Sequence, residues 1–155
     1  FLKKEILHWL NIVIKYDTGD KMKFELVSDH KILTEFYLDC GLEIENGWEK
    51  SMNPIKSLAV FEDGKIICAA TLSNRFNRTI LDYIGVIPSM QRQGIGKSIF
   101  QEIAKGCGEI YLIARNAGFF RALGFSEIQD NDLMSECSGC PQYNLKCFPK
   151  AMKRG

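Results

Sequence analysis

The sequence predicts a single domain of the mixed α/β class, of the α+β kind, in which helices pack on a sheet. An Asp63-Gly64 pair stands between two apolar runs, a pattern typical of a β-hairpin. Apolar residues at helical spacing begin at Gly94, shortly after another apolar run that ends at Pro88. An antiparallel hairpin, together with strands on both sides of helices, indicates a mixed sheet.

The first elements follow from capping and periodicity. Residues 22–27 read as a strand. Ser28 and Asp29 can cap a helix that continues to about Asp39, and four apolar residues within it fall on one face. Residues 42–53 form a weaker helical or irregular stretch, which Pro54 ends.

We predict strands where apolar residues are consecutive or alternate with polar ones. We predict helices where apolar residues recur every three or four positions. Predicted strands cover residues 57–61, 65–72, 79–87, 109–113, 125–128 and 143–147, and predicted helices cover residues 94–104 and 117–123.

Length and composition are those of one globular domain. The chain has 155 residues, of which 46% are apolar and 25% are charged, so it can bury a core without disulfides. Twenty Lys and Arg residues against nineteen Asp and Glu residues leave a formal net charge of +1. This balance disfavours a general nucleic-acid binder. No apolar stretch of 18 residues occurs, so we expect no membrane partner.

The domain is predicted to cover residues 22–148, after an N-terminal extension at 1–21 and before a tail at 149–155. The opening segment is interpreted as amphipathic rather than as a signal peptide, because Glu5, His8 and Asn11 interrupt its apolar run. We therefore expect a cytoplasmic protein, whose six cysteines are thiols or metal ligands rather than disulfides. The basic residues 150–154 are interpreted as part of a solvated tail.

A glycine-flanked turn precedes the helix that starts near residue 94. A helix start presents unpaired N–H groups and partial positive charge, so it can bind phosphate. Glycines at 94 and 96 allow close approach to the main chain, and Arg92 and Lys97 can add positive charge. The alternative is that the glycines only shape a loop. Two other phosphate motifs fit poorly, since Gln91 and Ile99 stand where those motifs need glycine.

Two segments resemble the GCN5-related N-acetyltransferase (GNAT) superfamily: VIPSMQRQGIG at residues 86–96 and NAGFFRALGF at residues 116–125. The resemblance implies a mostly antiparallel sheet of six to seven strands with about four helices. It also implies transfer of an acetyl group from acetyl-CoA to a primary amine of a small molecule, by a monomer or homodimer. The implied acetyl-CoA contacts are Ile84, Gly85 and Val86 for the pantetheine arm, Gln91, Arg92, Gln93, Gly94, Ile95, Gly96 and Lys97 for the diphosphate, and Asn116 and Phe120 for the thioester end.

A weaker resemblance concerns the acceptor. Residues 110–120, with a Phe-Phe pair, resemble the acetyltransferase domain of N-acetylglutamate synthases. This resemblance favours an amino-acid-like amine, whose carboxylate would need a cation. Four arginines are available for that role: Arg75, Arg78, Arg115 and Arg121.

Acetyl transfer needs a neutral amine, so a general base is valuable. Asp82 is the first candidate, because it lies four residues before Val86 and shares its face if the strand alternation is unbroken. The alternative is that Asp82 is a solvated or salt-bridged strand residue, and Glu25, Glu35 and Glu62 are other candidate bases. Phe120 stands where the family usually has a tyrosine that protonates the thiolate. Tyr83 is the predicted substitute, with Tyr111 and Tyr143 also open.

The cysteine spacing leaves three interpretations open. Cys137, Cys140 and Cys147 could bind a metal if a fourth ligand came from elsewhere, although no metal ligands are predicted. They could also be three thiols in a loop and edge strand near the acceptor pocket, or a redox-sensing dithiol. The alternative function is accordingly a CoA-binding or sensor module with little turnover.

Overall fold

A seven-stranded sheet forms the frame of the computed structural model, which describes residues 22–155. The strands are β1 Glu25–Leu26, β2 Pro54–Glu62, β3 Lys65–Arg75, β4 Arg78–Val86, β5 Ile110–Ala114, β6 Ser126–Glu127 and β7 Lys150–Arg154. Their order in the sheet is β1-β2-β3-β4-β5-β7-β6. All neighbouring pairs are antiparallel except β4 and β5, which are parallel.

Five α-helices accompany the sheet within the described residues. They are α1 His30–Asp39, α2 Trp48–Met52, α3 Ile95–Ile103, α4 Ala117–Ala122 and α5 Asn131–Met134, with 3₁₀ turns at Pro88–Met90 and Ser135–Cys137. The predicted mixed, mostly antiparallel fold is confirmed, with five helices where about four were expected. The predicted extension at residues 1–21 lies outside the described residues. No helix in the described part is both long and apolar enough to cross a bilayer.

Helix α1 forms where its cap and its apolar face predict it. The Asp29 carboxylate accepts hydrogen bonds from the N–H groups of Lys31 (3.0 Å) and Ile32 (3.4 Å), which would otherwise lack partners. Leu33, Phe36 and Tyr37 are buried on one face of the helix. Burying each such side chain contributes about 1.5–3 kcal/mol.

The two faces of the sheet carry separate cores. Helix α3 packs on one face, where its buried residues, such as Phe100, meet Leu72 of β3. Helices α1 and α2 pack on the other face, where Tyr37 and Trp48 meet Tyr83 of β4. Alternate residues of the central strands therefore serve opposite cores, as the pleat of a β-sheet requires.

Strand β4 is irregular in two ways that shape the candidate site. Thr71 of β3 pairs with Tyr83, but the next residue, Leu72, pairs with Leu81, so Asp82 is an extra, bulged residue. On its other side β4 pairs with β5 only at Thr79 and Ile80. Beyond Ile80 the two parallel strands no longer pair, and the unpaired region between them is called the cleft below.

The C-terminal part of the sequence was predicted incorrectly in two places. Lys150–Arg154 is not a solvated tail but β7, which pairs with all five residues of β5 and buries Ala151 and Met152. The sheet thus continues beyond residue 148. Residues 143–147 are not a strand but a loop, because the Gln142 carbonyl accepts the N–H groups of residues 145, 146 and 147. Only an isolated bridge joins residues 143 and 147.

Candidate functional site

The turn before α3 leaves consecutive N–H groups free. Gly94 begins the helix with φ 78° and no side-chain cap, and Arg92 also has a positive φ, 64°. Within residues 22–155 the N–H groups of residues 92–97 donate to no protein acceptor. Successive N–H groups in such alternating conformations form a concave anion site, reinforced here by the helix dipole. This turn can therefore hold a phosphate group.

Gln91 has a different position from the other predicted phosphate contacts. Its side-chain amide donates to the Val86 carbonyl at 3.0 Å, and its own N–H donates to the Pro88 carbonyl at 3.4 Å. Gln91 therefore braces the turn against the end of β4. Its main-chain amide is already engaged, whereas those of Arg92 to Lys97 are not.

Three glycines near the turn serve three separate purposes. A Cβ at Gly94 would meet no protein atom within 4 Å, so within the protein this position favours glycine because of its left-handed φ. A Cβ at Gly96 would lie 3.2 Å from Cζ of Phe119, so this glycine lets α3 approach α4 closely. A Cβ at Gly85 would lie 3.2 Å from Sγ of Cys40, so this glycine lets α1 pack on β4.

The remaining predicted cofactor residues border the turn and the cleft. Arg92 and Lys97 are exposed and have no carboxylate partner within the described ranges. Ile84 and Val86 lie on β4 beyond its last pair with β5 and are half-buried on the α3 side. Ile95 is buried in the core as the first residue of α3.

Asn116 and Phe120 flank the start of α4. Asn116 is exposed at the N-cap position, and its side chain makes no capping hydrogen bond. Phe120 packs edge-to-face on Phe119 (5.0 Å between ring centroids) and on Phe125 (5.9 Å). A contact of either residue with a thioester stays a prediction.

Asp82 does not share the face of Val86, because the bulge breaks the strand alternation. Leu81, Ile84 and Val86 lie on the α3 side. The Asp82 carboxylate instead accepts two hydrogen bonds, each 2.7 Å, from the guanidinium of Arg75. Arg75 also donates to the Met52 carbonyl at the end of α2, on the opposite face of the sheet. The expected placement of Asp82 is therefore wrong, and its role as a base stays a prediction.

A second carboxylate completes what we call the Arg75 cluster, namely Arg75, Asp82 and Glu136. Glu136 accepts from Nε of Arg75 at 2.8 Å and from Nη2 at 3.1 Å. Burial alone would lower the pKa of Arg75, but the bonds to the two carboxylates outweigh it and raise that pKa above its usual range. The sequence analysis did not include Glu136. No local pattern indicates it, because it is 61 residues from Arg75 in the sequence.

Tyr83 lies beside this cluster, against the aromatic core under α1 and α2. Its ring stacks on Tyr37 at 5.0 Å and meets Trp48 edge-on at 5.3 Å. Burial, assisted by the negative charge of Asp82, raises the pKa of Tyr83 to about 12. The hydroxyl is therefore protonated at neutral pH and can donate a proton or a hydrogen bond. Of the other candidate donors, Tyr111 already donates to Glu109 at 2.7 Å.

A cavity of about 700 Å³ lies elsewhere, between α1 and the β2–β3 hairpin. Its walls include Ile32, Phe36, Phe61 and Ile66, and two of the alternative bases, Glu35 and Glu62, line it. The third alternative base, Glu25, lies at the edge strand β1, 3.4 Å from Lys23. The cavity contains no residue of the turn or of the Arg75 cluster. Its largely apolar walls do not suit a diphosphate.

The four arginines proposed for an acceptor carboxylate all have acidic partners. Arg75 binds Asp82 and Glu136, as described above. The other pairs are Arg78 with Asp130, Arg115 with Glu43 at 2.6 Å, and Arg121 with Glu127 at 3.5 Å.

None of the six cysteines, which all lie in the described part of the chain, is joined to another by a disulfide. Cys137, Cys140 and Cys147 lie partly buried in the loop that precedes β7. Within residues 22–155 no three His, Cys, Asp or Glu side chains are grouped closely enough to hold a metal ion.

Sequence comparisons show similarities to N-acetyltransferases. Residues 54–127 match the family model described as the acetyltransferase (GNAT) domain. The chain is 23% identical over 131 residues to an uncharacterized N-acetyltransferase of Chlorobaculum tepidum. The alignment covers 77% of this chain and 84% of that protein.

Solved structures share the fold. A GNAT family acetyltransferase from Elizabethkingia anophelis with acetyl-CoA bound has a TM-score of 0.66 and 14% identity, covering 88% of this chain and 99% of that one. N-acetylglutamate synthase from Neisseria gonorrhoeae, complexed with coenzyme A and N-acetyl-glutamate, has a TM-score of 0.63 and 13% identity. That alignment covers 86% of this chain and 35% of the synthase.

Proposed function

We propose, on the premise that this chain belongs to the GNAT acetyltransferase superfamily, that it transfers the acetyl group of acetyl-CoA to a primary amine of a small molecule. The match of residues 54–127 to the acetyltransferase domain supports this premise. The observation that carries the proposal is the row of free N–H groups at residues 92–97. A diphosphate is the group in acetyl-CoA that such a row would recognise.

The proposed donor lies along the cleft between β4 and β5. Its diphosphate accepts from the main chain of residues 92–97, with Arg92 and Lys97 supplying positive charge. Its pantetheine arm runs beside Ile84, Gly85 and Val86, where β4 has separated from β5. Asn116 and Phe120 lie at the thioester end.

The acceptor must lose a proton before it attacks. An alkylammonium group with a pKa near 10 is disfavoured as the free amine by roughly 4 kcal/mol at pH 7. Asp82 is the proposed proton acceptor, directly or through water, since each of its oxygens retains a second lone pair beside the bond from Arg75. The neutral nitrogen then attacks the thioester carbon, the carbon–sulfur bond breaks, and the nitrogen gives its second proton to water or to the tyrosinate left when Tyr83 protonates the sulfur.

The departing thiolate needs little help. Thiol pKa values lie near 8.5, so release as thiolate at pH 7 is disfavoured by about 2 kcal/mol. Tyr83 is the proposed donor of the proton that the sulfur receives, since burial keeps its hydroxyl protonated at this pH. Water is the alternative donor.

Amine-dependent release of CoA tests the proposal. The protein is incubated with acetyl-CoA and single primary amines, and both free CoA and the acetylated amine are measured by mass spectrometry. This readout avoids signal from the six cysteine thiols of the chain. We expect equal amounts of the two products. Saturable CoA binding without any acetylated amine would contradict the proposal.

A further inference from the structure

We propose that the acceptor is an amine without a carboxylate beside its amino group, bound as a cation by the Arg75 cluster and the Tyr83 hydroxyl. This inference rests on the proposed function and narrows its substrate class. It departs from the amino-acid acceptor that the weaker sequence resemblance favours.

The charge of the cluster is the first observation. One guanidinium faces two carboxylates, so the cluster carries one uncompensated negative charge. The side chains of Arg75, Asp82 and Glu136 are only 11%, 7% and 27% exposed. Screening by water is weak at Asp82 and stronger at Glu136, which is an exposed residue, so the attraction for an ammonium group is greatest on the Asp82 side of the cluster.

The Tyr83 hydroxyl is the second, independent observation. The residue is 7% exposed, yet its hydroxyl has no hydrogen-bond partner within residues 22–155. Among the described side chains, only the Ser73 hydroxyl is both fully buried and without a hydrogen-bond partner. The Tyr83 hydroxyl, which also lacks a partner within this part of the chain, is therefore still accessible to solvent. Burial is the main cause of the raised pKa of Tyr83; beyond it, Asp82, Glu136 and Glu45 raise that pKa and Arg75 lowers it, so the hydroxyl lies within electrostatic range of the whole cluster. An ammonium group there could donate to the phenolic oxygen.

The cluster is also correctly placed. Asp82 and Tyr83 follow the last β4–β5 pair, at Ile80, by two and three residues, so they lie on the part of β4 that no longer pairs with β5. A cation held by Asp82 and Glu136 would lie on the α1 and α2 face of the sheet, and its amine would reach the thioester, on the α3 face, through this unpaired region.

A carboxylate beside the amino group is disfavoured for two reasons. It would face the uncompensated negative charge of the cluster, and all four candidate arginines already have acidic partners. Among the arginines with short ion pairs, Arg115 is the most accessible. Its side chain is 55% exposed, and that of its partner Glu43 is 60% exposed. If an amino acid were the acceptor, Arg115 would be the cation that receives its carboxylate.

Matched amines that differ by one carboxylate test the inference. The full chain is assayed for kcat/KM with cadaverine against lysine, putrescine against ornithine, and tyramine against tyrosine. We expect at least one of the carboxylate-free amines to be preferred over its partner by 10-fold or more. Equal or better turnover of the amino acids, with loss of that turnover in Arg115→Gln, would overturn the inference and leave the proposed function intact. Absence of turnover with every amine would overturn both.

A substitution at Glu136 tests whether the Arg75 cluster binds the amine. Glu136→Gln removes the uncompensated charge, and we expect it to raise KM for the preferred amine about 10-fold without changing the Kd for CoA. Glu136→Asp should restore most of the affinity. Glu127→Gln, at an exposed pair in the edge strand β6, is the matched control. An unchanged KM in Glu136→Gln would contradict the assignment, and thermal unfolding of each variant would separate a binding defect from a folding defect.

Discussion

Arg75 of β3 and Asp82 of β4 form a two-point ion pair, with both hydrogen bonds 2.7 Å long. The pair exists because Asp82 is the bulged residue of β4, which frees its side chain from the regular alternation. The same guanidinium reaches the end of α2 and the 3₁₀ turn that holds Glu136. One arginine thus joins three parts of the chain.

Replacing Arg75 should destabilise the fold strongly. Arg75→Met would leave the mostly buried Asp82 carboxylate, and the more exposed Glu136, without their cation, and removing one partner of a buried ion pair such as Arg75–Asp82 costs about 3–5 kcal/mol. Arg121→Met is the control, because its pair with Glu127 is exposed and such pairs contribute about 0–1 kcal/mol. Urea unfolding measures both. Equal free energies of unfolding for the two variants would mean that the Arg75 pairing contributes no more than a surface contact.

Asp82→Asn tests the proposed base. The amide keeps the size of the carboxylate but cannot accept the proton from the amine. We expect the rate to fall most at low pH, where the largest fraction of the acceptor is protonated. The pH–rate profile of the variant is compared with that of the wild type in the amine assay. A uniform decrease at all pH values would assign Asp82 to positioning rather than to proton transfer.

A matched pair of substitutions at Gly94 tests the phosphate site. Both Gly94→Asn and Gly94→Asp add a Cβ that meets no protein atom within 4 Å, and both must adopt φ 78°. They differ only in charge. We expect Gly94→Asp to weaken CoA binding by at least 10-fold relative to Gly94→Asn, since a carboxylate repels the diphosphate. Isothermal titration calorimetry with CoA gives both values, and similar values would exclude this turn as the diphosphate site.

The turn and its helix could be predicted because their signals are local: two glycines, a preceding proline and an apolar face within 15 residues. The surroundings of Asp82 could not, because a bulge depends on how two strands are paired and leaves no mark in the sequence of either. Strand β7 was missed for a related reason. Only Ala151 and Met152 are buried, and the flanking basic residues resemble a solvated segment until the pairing with β5 is known.

The raised pKa of Tyr83 should make the free energy of unfolding depend on pH in the alkaline range. Its pKa is raised from about 10 in the unfolded chain to about 12 in the fold, first by burial and then by the charge of Asp82. The folded state then holds the proton more tightly, so the stabilisation is complete below pH 10 and is lost as pH rises towards 12. Chemical unfolding between pH 9 and 12 should show a falling free energy of unfolding.

Tyr83→Phe provides the control for this pH dependence. The variant keeps the ring stacking on Tyr37 but cannot ionise at this position. We expect a shallower alkaline decrease, with Tyr37 still contributing because burial also raises its pKa. Identical slopes for variant and wild type would show that Tyr83 does not ionise in this range.

Alanine substitutions at two buried serines should have different effects on the free energy of unfolding. The Ser57 and Tyr37 hydroxyls each form a 2.8 Å hydrogen bond with the Thr71 hydroxyl, whereas the Ser73 hydroxyl is buried without a partner. Ser57→Ala should lower the free energy of unfolding by about 1 kcal/mol, and Ser73→Ala should leave it unchanged or raise it by about 1 kcal/mol. Thermal and urea unfolding measure the difference. A larger loss in Ser73→Ala would reveal a partner for that hydroxyl.

The position of β7 has a consequence for synthesis on the ribosome. Residues 126–127 emerge well before residues 150–154, yet they pair only with those later residues. Until β7 emerges from the ribosome, one edge of β5 in the nascent chain is unpaired, and a strand of another chain could pair with it. Chaperone binding during translation would be most useful to this protein in that interval.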